Sequence, residues 1–171
     1  MTGPISKEAA VFGAGFLWPG HTEFLANAFG VKHVAMVFIS ERIKVALASR
    51  HVALRQAVRA INKEDIYSCG VLICGLLKKY FKVRRPKIAV SGLNPHAGEA
   101  GLFGREEIEE IGPAIKKLNK IAGEYFFGPF APDTVFHRAY LGEFDLVIAM
   151  YHDQGLIPFK MVEFREGVHL T

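Results

Sequence analysis

The run Asp145-Leu146-Val147-Ile148-Ala149-Met150 is apolar from its second residue onward. A strand with one wet face alternates apolar and polar residues; a run this short with no alternation is covered on both faces. It therefore belongs in the middle of a mostly parallel sheet with helices on either side. The stretch 87–90 reads the same way, and further strand patterns fall at 33–39, 43–48, 125–127 and from 167 to the last residue. Helical periodicity fills the intervals: a short helix opening at His21-Thr22, then 54–61 and 64–81, and 105–120 divided or kinked at Gly112-Pro113. A brief helix capped by Asp133 or Thr134 runs to Leu141, and another after Leu156 carries Lys160. Alternation of strands with long crossovers predicts an α/β fold, a mostly parallel sheet flanked by helices. Residues 1–171 read as one α/β region, and a chain of 171 residues that is 50% apolar with 14 Phe can fill one core.

Several function classes lose support at this stage. The longest markedly apolar run, 69–77, is far short of the roughly 20 residues that span a bilayer, and Met1-Thr2-Gly3-Pro4 has no secretory pattern, so a soluble cytoplasmic chain without a membrane partner is expected. Cys69 and Cys74 on one helix lie about 140° apart around it, which rules out a mutual disulfide and predicts two core thiols. The positive charge is concentrated in Lys78, Lys79, Lys82, Arg84, Arg85 and Lys87, where a long helix ends; cations there complement the helix dipole, and no nucleic-acid partner is expected. Gly13-Ala14-Gly15 resembles half of a dinucleotide-binding turn, but Trp18-Pro19-Gly20 follows where a helix should open. No cofactor-binding residue is assigned from it.

Three strand readings end in a histidine. His51 follows Ser49-Arg50, His96 lies in Ser91-Gly92-Leu93-Asn94-Pro95-His96-Ala97-Gly98-Glu99, and His152 lies in Tyr151-His152-Asp153-Gln154-Gly155. Parallel strands put all three on one sheet edge, the edge where open α/β sheets bind ligands. Three neutral imidazoles leave coordination positions open and suit zinc, cobalt or another divalent ion, with Glu99, Asp133 and Asp153 available to orient the rings. The same pattern also fits three separate, hydrogen-bonded loop histidines.

Thr2-Gly3-Pro4-Ile5-Ser6-Lys7, Gly20-His21-Thr22-Glu23-Phe24, Gly92 to Glu99, Gly128-Pro129 with Asp133-Thr134, and Tyr151 to Gly155 occur in this order. Together they resemble the 4-hydroxythreonine-4-phosphate dehydrogenase family of vitamin B6 biosynthesis. The resemblance implies a fold like that of the isocitrate and isopropylmalate dehydrogenases. It also implies a homodimer with a shared active site, a divalent metal (zinc, cobalt or magnesium), NAD or NADP, and a small phosphorylated hydroxy-acid substrate. By position it makes His51, His96 and His152 the metal ligands, the first two from one subunit and the third from the other. Lys160 and Asp153 fall on catalytic positions, and His21, Thr22, Lys160 and His169 on substrate-binding ones.

The chain corresponds to the middle and later part of the family's fold, truncated at both ends, so the resemblance also leaves room for a non-catalytic metal-binding remnant. His169 stands where the family usually has an asparagine. That difference admits a related acid-sugar phosphate, threonate or erythronate 4-phosphate, as substrate.

Overall fold

The computed structural model of the chain describes residues 6, 9, 13, 16–18 and 21–171. The readings at 2–10 and at Gly13-Ala14-Gly15 fall largely outside these residues. The backbone separates into two compact units, Met1–Val34 and Ala35–Thr171, where the sequence reading had one region.

In the first unit α1, His21–Ala28, opens at the expected residue. Val31 N–H donates to Ala26 O and Gly30 N–H to Asn27 O, a Schellman closure for which Gly30 supplies φ +62°. Phe24 sets its ring 5.5 Å from Phe16 and 5.3 Å from Trp18, giving this unit an aromatic cluster of its own.

The second unit is a layered α/β structure. Its elements are β1 Met36–Ile39, β2 Lys44–Leu47, α2 Leu54–Ala60, α3 Lys63–Lys79, β3 Ile88–Ser91, α4 Gly112–Ala122, β4 Phe126–Phe130, α5 Pro132–Tyr140, β5 Leu146–Ala149, α6 His152–Glu163 and β6 Val168–Leu170. The sheet order is β4-β3-β5-β2-β1-β6. β4, β3, β5 and β2 are parallel neighbours; β1 and β6 extend the sheet by antiparallel pairing. β5 is thus an interior strand, as its unbroken apolar run requires.

Side-chain alternation divides the core between the two faces. Ile88, Val90, Leu146 and Ile148 meet α3 and α4 through Ile66, Ile73, Leu77 and Leu118; Val45, Leu47, Val147 and Ala149 meet α5 and α6 through Val135, Phe136, Leu156 and Phe159. α3 runs through Gly70 without interruption. A Cβ there would lie 2.5 Å from Leu118 Cδ1, so the glycine lets α3 and α4 approach, a packing gain that offsets its weak helix propensity.

One local expectation, the division at Gly112-Pro113, is met, and two change. Residues 107–111 form a π-helical turn ahead of α4, in which Gly112 N–H donates to Glu107 O, five residues back. Pro113 lacks an N–H and its ring would press on the carbonyl four residues earlier, and the widened turn relieves both. α5 has Ala131 as its N-cap residue and Pro132 in its first turn, so neither Asp133 nor Thr134 caps it; the Thr134 hydroxyl donates back to Ala131 O at 3.2 Å. α6 begins at His152 itself, ahead of the expected start.

Cys69 and Cys74 are buried free thiols. Burial pushes Cys69 up to about 12, and its Sγ lies 3.7 Å from Leu47 O. Since the thiolate is the reacting form, Cys69 should resist Ellman's reagent at pH 8 in the native chain and react promptly in denaturant. Fast native labelling of Cys69 would contradict the described core. Among the described residues no helix is long and apolar enough to cross a membrane. The basic cluster follows the C-terminal turn of α3, with the Lys78 ammonium 4.4 Å from the Tyr125 ring centre, and it leads into the N-terminal end of β3.

Candidate functional site

Parallel pairing of β2 and β3 to β5 brings the C-terminal ends of the three strands to one edge. The segments leaving the ends of β2, β3 and β5 carry His51, His96 and His152 respectively. Hydrogen bonds stitch these segments to one another. Ala48 N–H donates to Ala149 O at 2.8 Å, and the Ser49 hydroxyl donates to Met150 O at 2.7 Å. Gln154 continues the chain of bonds: its Oε1 accepts from Met150 N–H at 2.7 Å and its Nε2 donates to Gly92 O at 2.8 Å. One half-buried amide therefore ties the β5 end to the β3 end, each bond worth about 1 kcal/mol.

The His51 and His152 rings face a shared depression, also lined by Arg50, Tyr151 and Asp153, with centroids 5.8 Å apart. Metal–nitrogen bonds of about 2.0–2.1 Å at tetrahedral angles put the centres of two coordinating imidazoles roughly 5–6 Å apart, so the pair fits one divalent ion. His152 Nδ1 lies 2.7 Å from Asp153 Oδ1. An ionised carboxylate only accepts, so the neutral tautomer that suits this contact carries its proton on Nδ1 and offers the Nε2 lone pair to a ligand.

His96 is placed differently. Pro95–Gly101 is a left-handed turn in which His96 (φ +53°), Ala97 (+54°), Gly98 (+81°), Glu99 (+42°) and Ala100 (+54°) follow one another. Left-handed backbone costs a residue with a Cβ about 1–2 kcal/mol, and here four such residues, two on each side of Gly98, fall within a run of five. The turn holds His96 on the surface, 6.2 Å from the Phe103 ring. Among the described residues no three His, Cys, Asp or Glu side chains gather as a metal site. The resemblance implied that His51 and His96 share a subunit; within this chain the close pair is His51 and His152.

The left-handed turn is clamped from outside. Glu107, buried in the π turn, accepts from the N–H groups of Leu93 and Asn94 at 2.8 Å each through Oε1 and from Asn94 Nδ2 at 3.0 Å through Oε2. Asn94 Nδ2 also donates to Glu106 Oε2 at 2.7 Å. Hydrogen bonds from the Glu106 backbone and from Asn94 hold the Glu106 carboxyl below its usual range. The sequence reading missed both Glu107 and Gln154. The acidic run at 106–110 looks like a solvated helix start, and only the π turn shows that one member points inward.

The remaining candidates are dispersed. Lys160 is exposed on α6, about 12 Å along the axis from His152 at 1.5 Å per residue. His169 sits on the edge strand β6, stacked on Phe38 at 4.7 Å with planes 8° apart. Asp133 lines a groove between α5 and α6 with Phe136, Tyr140 and Ile157, which adjoins the histidine depression through Tyr151 and Asp153. Thr22 is buried, and both it and His21 belong to the first unit.

Comparison with known proteins identifies the family. The family model for "Pyridoxal phosphate biosynthetic protein PdxA" matches residues 1–171. The chain is 43% identical to a D-threonate 4-phosphate dehydrogenase of Pectobacterium atrosepticum, covering 99% of this chain and 51% of the relative. It is 44% identical to a 4-hydroxythreonine-4-phosphate dehydrogenase of Desulfosudis oleivorans, covering 100% of this chain and 50% of the relative. The crystal structure of a 4-hydroxythreonine-4-phosphate dehydrogenase from Klebsiella pneumoniae superposes with a TM-score of 0.87 at 42% identity, over 98% of this chain and 50% of that one. The chain thus spans about half the length of the relatives it matches. With the sheet order, the motif-bearing strand ends and the whole-length family match in agreement, the chain belongs to the PdxA family of pyridoxal phosphate biosynthetic proteins.

Proposed function

We propose that the chain carries the metal-binding part of an NAD- or NADP-dependent dehydrogenase that oxidises 4-phosphohydroxy-L-threonine with loss of carbon dioxide. The observation that carries this reading is the paired imidazoles of His51 and His152 at the shared strand edge, in a chain of this family. His51 and His152 would hold a divalent ion, and His96 of a second copy would complete the ligand set in a homodimer, since His96 is exposed and the described residues of one chain do not gather three such ligands. When bound, that ion would hold the substrate's hydroxyl and carboxylate oxygens and polarise the ketone produced by hydride loss. Asp153 keeps the His152 proton on Nδ1, which orients the ring. Lys160, a mobile point charge on α6, serves a substrate anion or passes a proton at the reacting oxygen. His21 and Thr22 bind substrate from the start of α1.

A second substrate, D-threonate 4-phosphate, is favoured by one residue and one relative. His169 stands where the family resemblance implies an asparagine, and a relative at 43% identity is named for that substrate. Turnover of both acids with NAD and with NADP, in the presence of zinc, cobalt or magnesium, tests the reading. His169→Asn should shift the ratio of the two kcat/KM values by roughly 2- to 10-fold toward 4-phosphohydroxythreonine, one hydrogen bond's worth. Zinc binding without turnover would favour the non-catalytic metal-binding remnant, and zinc binding left unchanged by both His51→Ala and His152→Ala would overturn the metal-site reading.

A further inference from the structure

We propose that Glu107 is the positioning residue for His96: a buried carboxylate that fixes the imidazole's place by holding the left-handed turn that carries it. The inference rests on His96 being a metal ligand. Glu107 is only 4% exposed, and burial of a carboxylate is unfavourable unless several donors converge on it. Here they do: two backbone N–H groups and one side-chain amide, all from Leu93 and Asn94, just ahead of His96. A chain satisfying a generic buried acid would not need to deform two backbones around it, yet both are deformed. On one side His96 to Ala100 are left-handed; on the other the π turn widens the helix at Glu107 itself.

The surrounding glycines fit the same design. A Cβ on Gly92 would lie 3.1 Å from Glu107 Oε1, and one on Gly98 2.6 Å from Oε2, so both sides of the carboxylate are closed by residues that only glycine can occupy without displacement. A Cβ on Gly112 would come 2.9 Å from Glu107 O, so the π turn too depends on a glycine. The strain of the left-handed turn persists because this clamp over-determines it, which is how ligand-bearing segments are kept in sparsely populated backbone. Relaxation of the turn would move His96 by more than the few tenths of an ångström that a metal–nitrogen bond tolerates.

The test uses isosteric variants, since Glu107→Ala would leave two buried N–H groups with no acceptor. Glu107→Gln keeps one oxygen for the backbone amides but turns an NH2 toward the Asn94 NH2. Glu110→Gln is the matched control: Glu110 Oε2 accepts from Lys63 N–H at the start of α3, away from the His96 turn. Calorimetric zinc titrations of wild type, His96→Ala, Glu107→Gln and Glu110→Gln are run alongside hydrogen exchange at Leu93 and Asn94. We expect Glu107→Gln to weaken zinc about tenfold or more, the cost of losing a group that orients a ligand, and to speed exchange at both amides. Glu110→Gln should leave zinc affinity unchanged even where it lowers the Tm. If His96→Ala weakens zinc and Glu107→Gln does not, the positioning role is overturned. If His96→Ala itself binds zinc like wild type, the ligand reading fails and the positioning role falls with it.

Discussion

Mixing two separately inactive variants should restore zinc sites, and which pairs do so reveals how the three histidines divide between subunits. His51→Ala, His96→Ala and His152→Ala alone are each expected to weaken zinc by at least roughly 100-fold, since losing even an outer partner of a ligand costs about 10–100-fold. The His51 and His152 ring centres are 5.8 Å apart, and among the described residues no three potential ligands gather as a metal site. If one copy supplies that pair and another supplies His96, a mixture of His51→Ala with His96→Ala contains heterodimers with one intact site. Random pairing then returns about a quarter of the wild-type sites. His51→Ala mixed with His152→Ala returns none. The division implied by family resemblance, with His51 and His96 together, gives the reverse result for these two mixtures. Restoration by neither, with each single variant still defective, would place all three ligands in one chain and remove the shared-site proposal. Glu110→Gln serves as the neutral control for zinc affinity.

What the sequence revealed of this site and what it hid have separate physical causes. Strand identity was legible because burial on both faces leaves an unbroken apolar run, as in Leu146 to Ala149, and helix boundaries came within a few residues for α2 and α3. The common edge followed from parallel connectivity alone, which is why His51, His96 and His152 could be assigned to one sheet edge from the sequence. Side-chain direction was not legible. Whether His96 turns toward the other two rings depends on a left-handed turn, and that turn depends on Glu107, a residue distant enough in sequence to look like ordinary helix surface. Gln154 escaped for a similar reason: its bonds to Met150 and Gly92 are tertiary, and no periodicity encodes them. The start of α6 was placed too late because Tyr151 to Gly155, rich in polar residues and ending in glycine, has the composition of a loop. Gly155 is in fact buried in the helix, where a Cβ would lie 2.8 Å from Val45 and 2.9 Å from Ala149.

Gly98→Ala should be among the most damaging single-methyl changes available to this chain. Two independent effects add. Gly98 has φ +81°, a conformation that costs alanine about 1–2 kcal/mol relative to glycine. Its new Cβ would also lie 2.6 Å from Glu107 Oε2 and 3.1 Å from Gly104 O, so the carboxylate or the turn must move. Moving the carboxylate breaks its bond to Asn94 Nδ2 at 3.0 Å and disturbs those to the Leu93 and Asn94 amides, leaving buried groups unpaired at about 1–3 kcal/mol. The sum, roughly 2–5 kcal/mol, is a large part of the 5–15 kcal/mol that stabilises an ordinary domain. Gly142→Ala isolates the first effect, because Gly142 has φ +84° and nothing within 4 Å of a built Cβ. Urea unfolding of the three proteins separates the contributions: Gly142→Ala should lose only the backbone cost, and Gly98→Ala that cost plus the disrupted clamp. Equal losses would mean that the Glu107 carboxylate moves aside freely, and a wild-type midpoint for Gly98→Ala would mean that the left-handed turn is not as described.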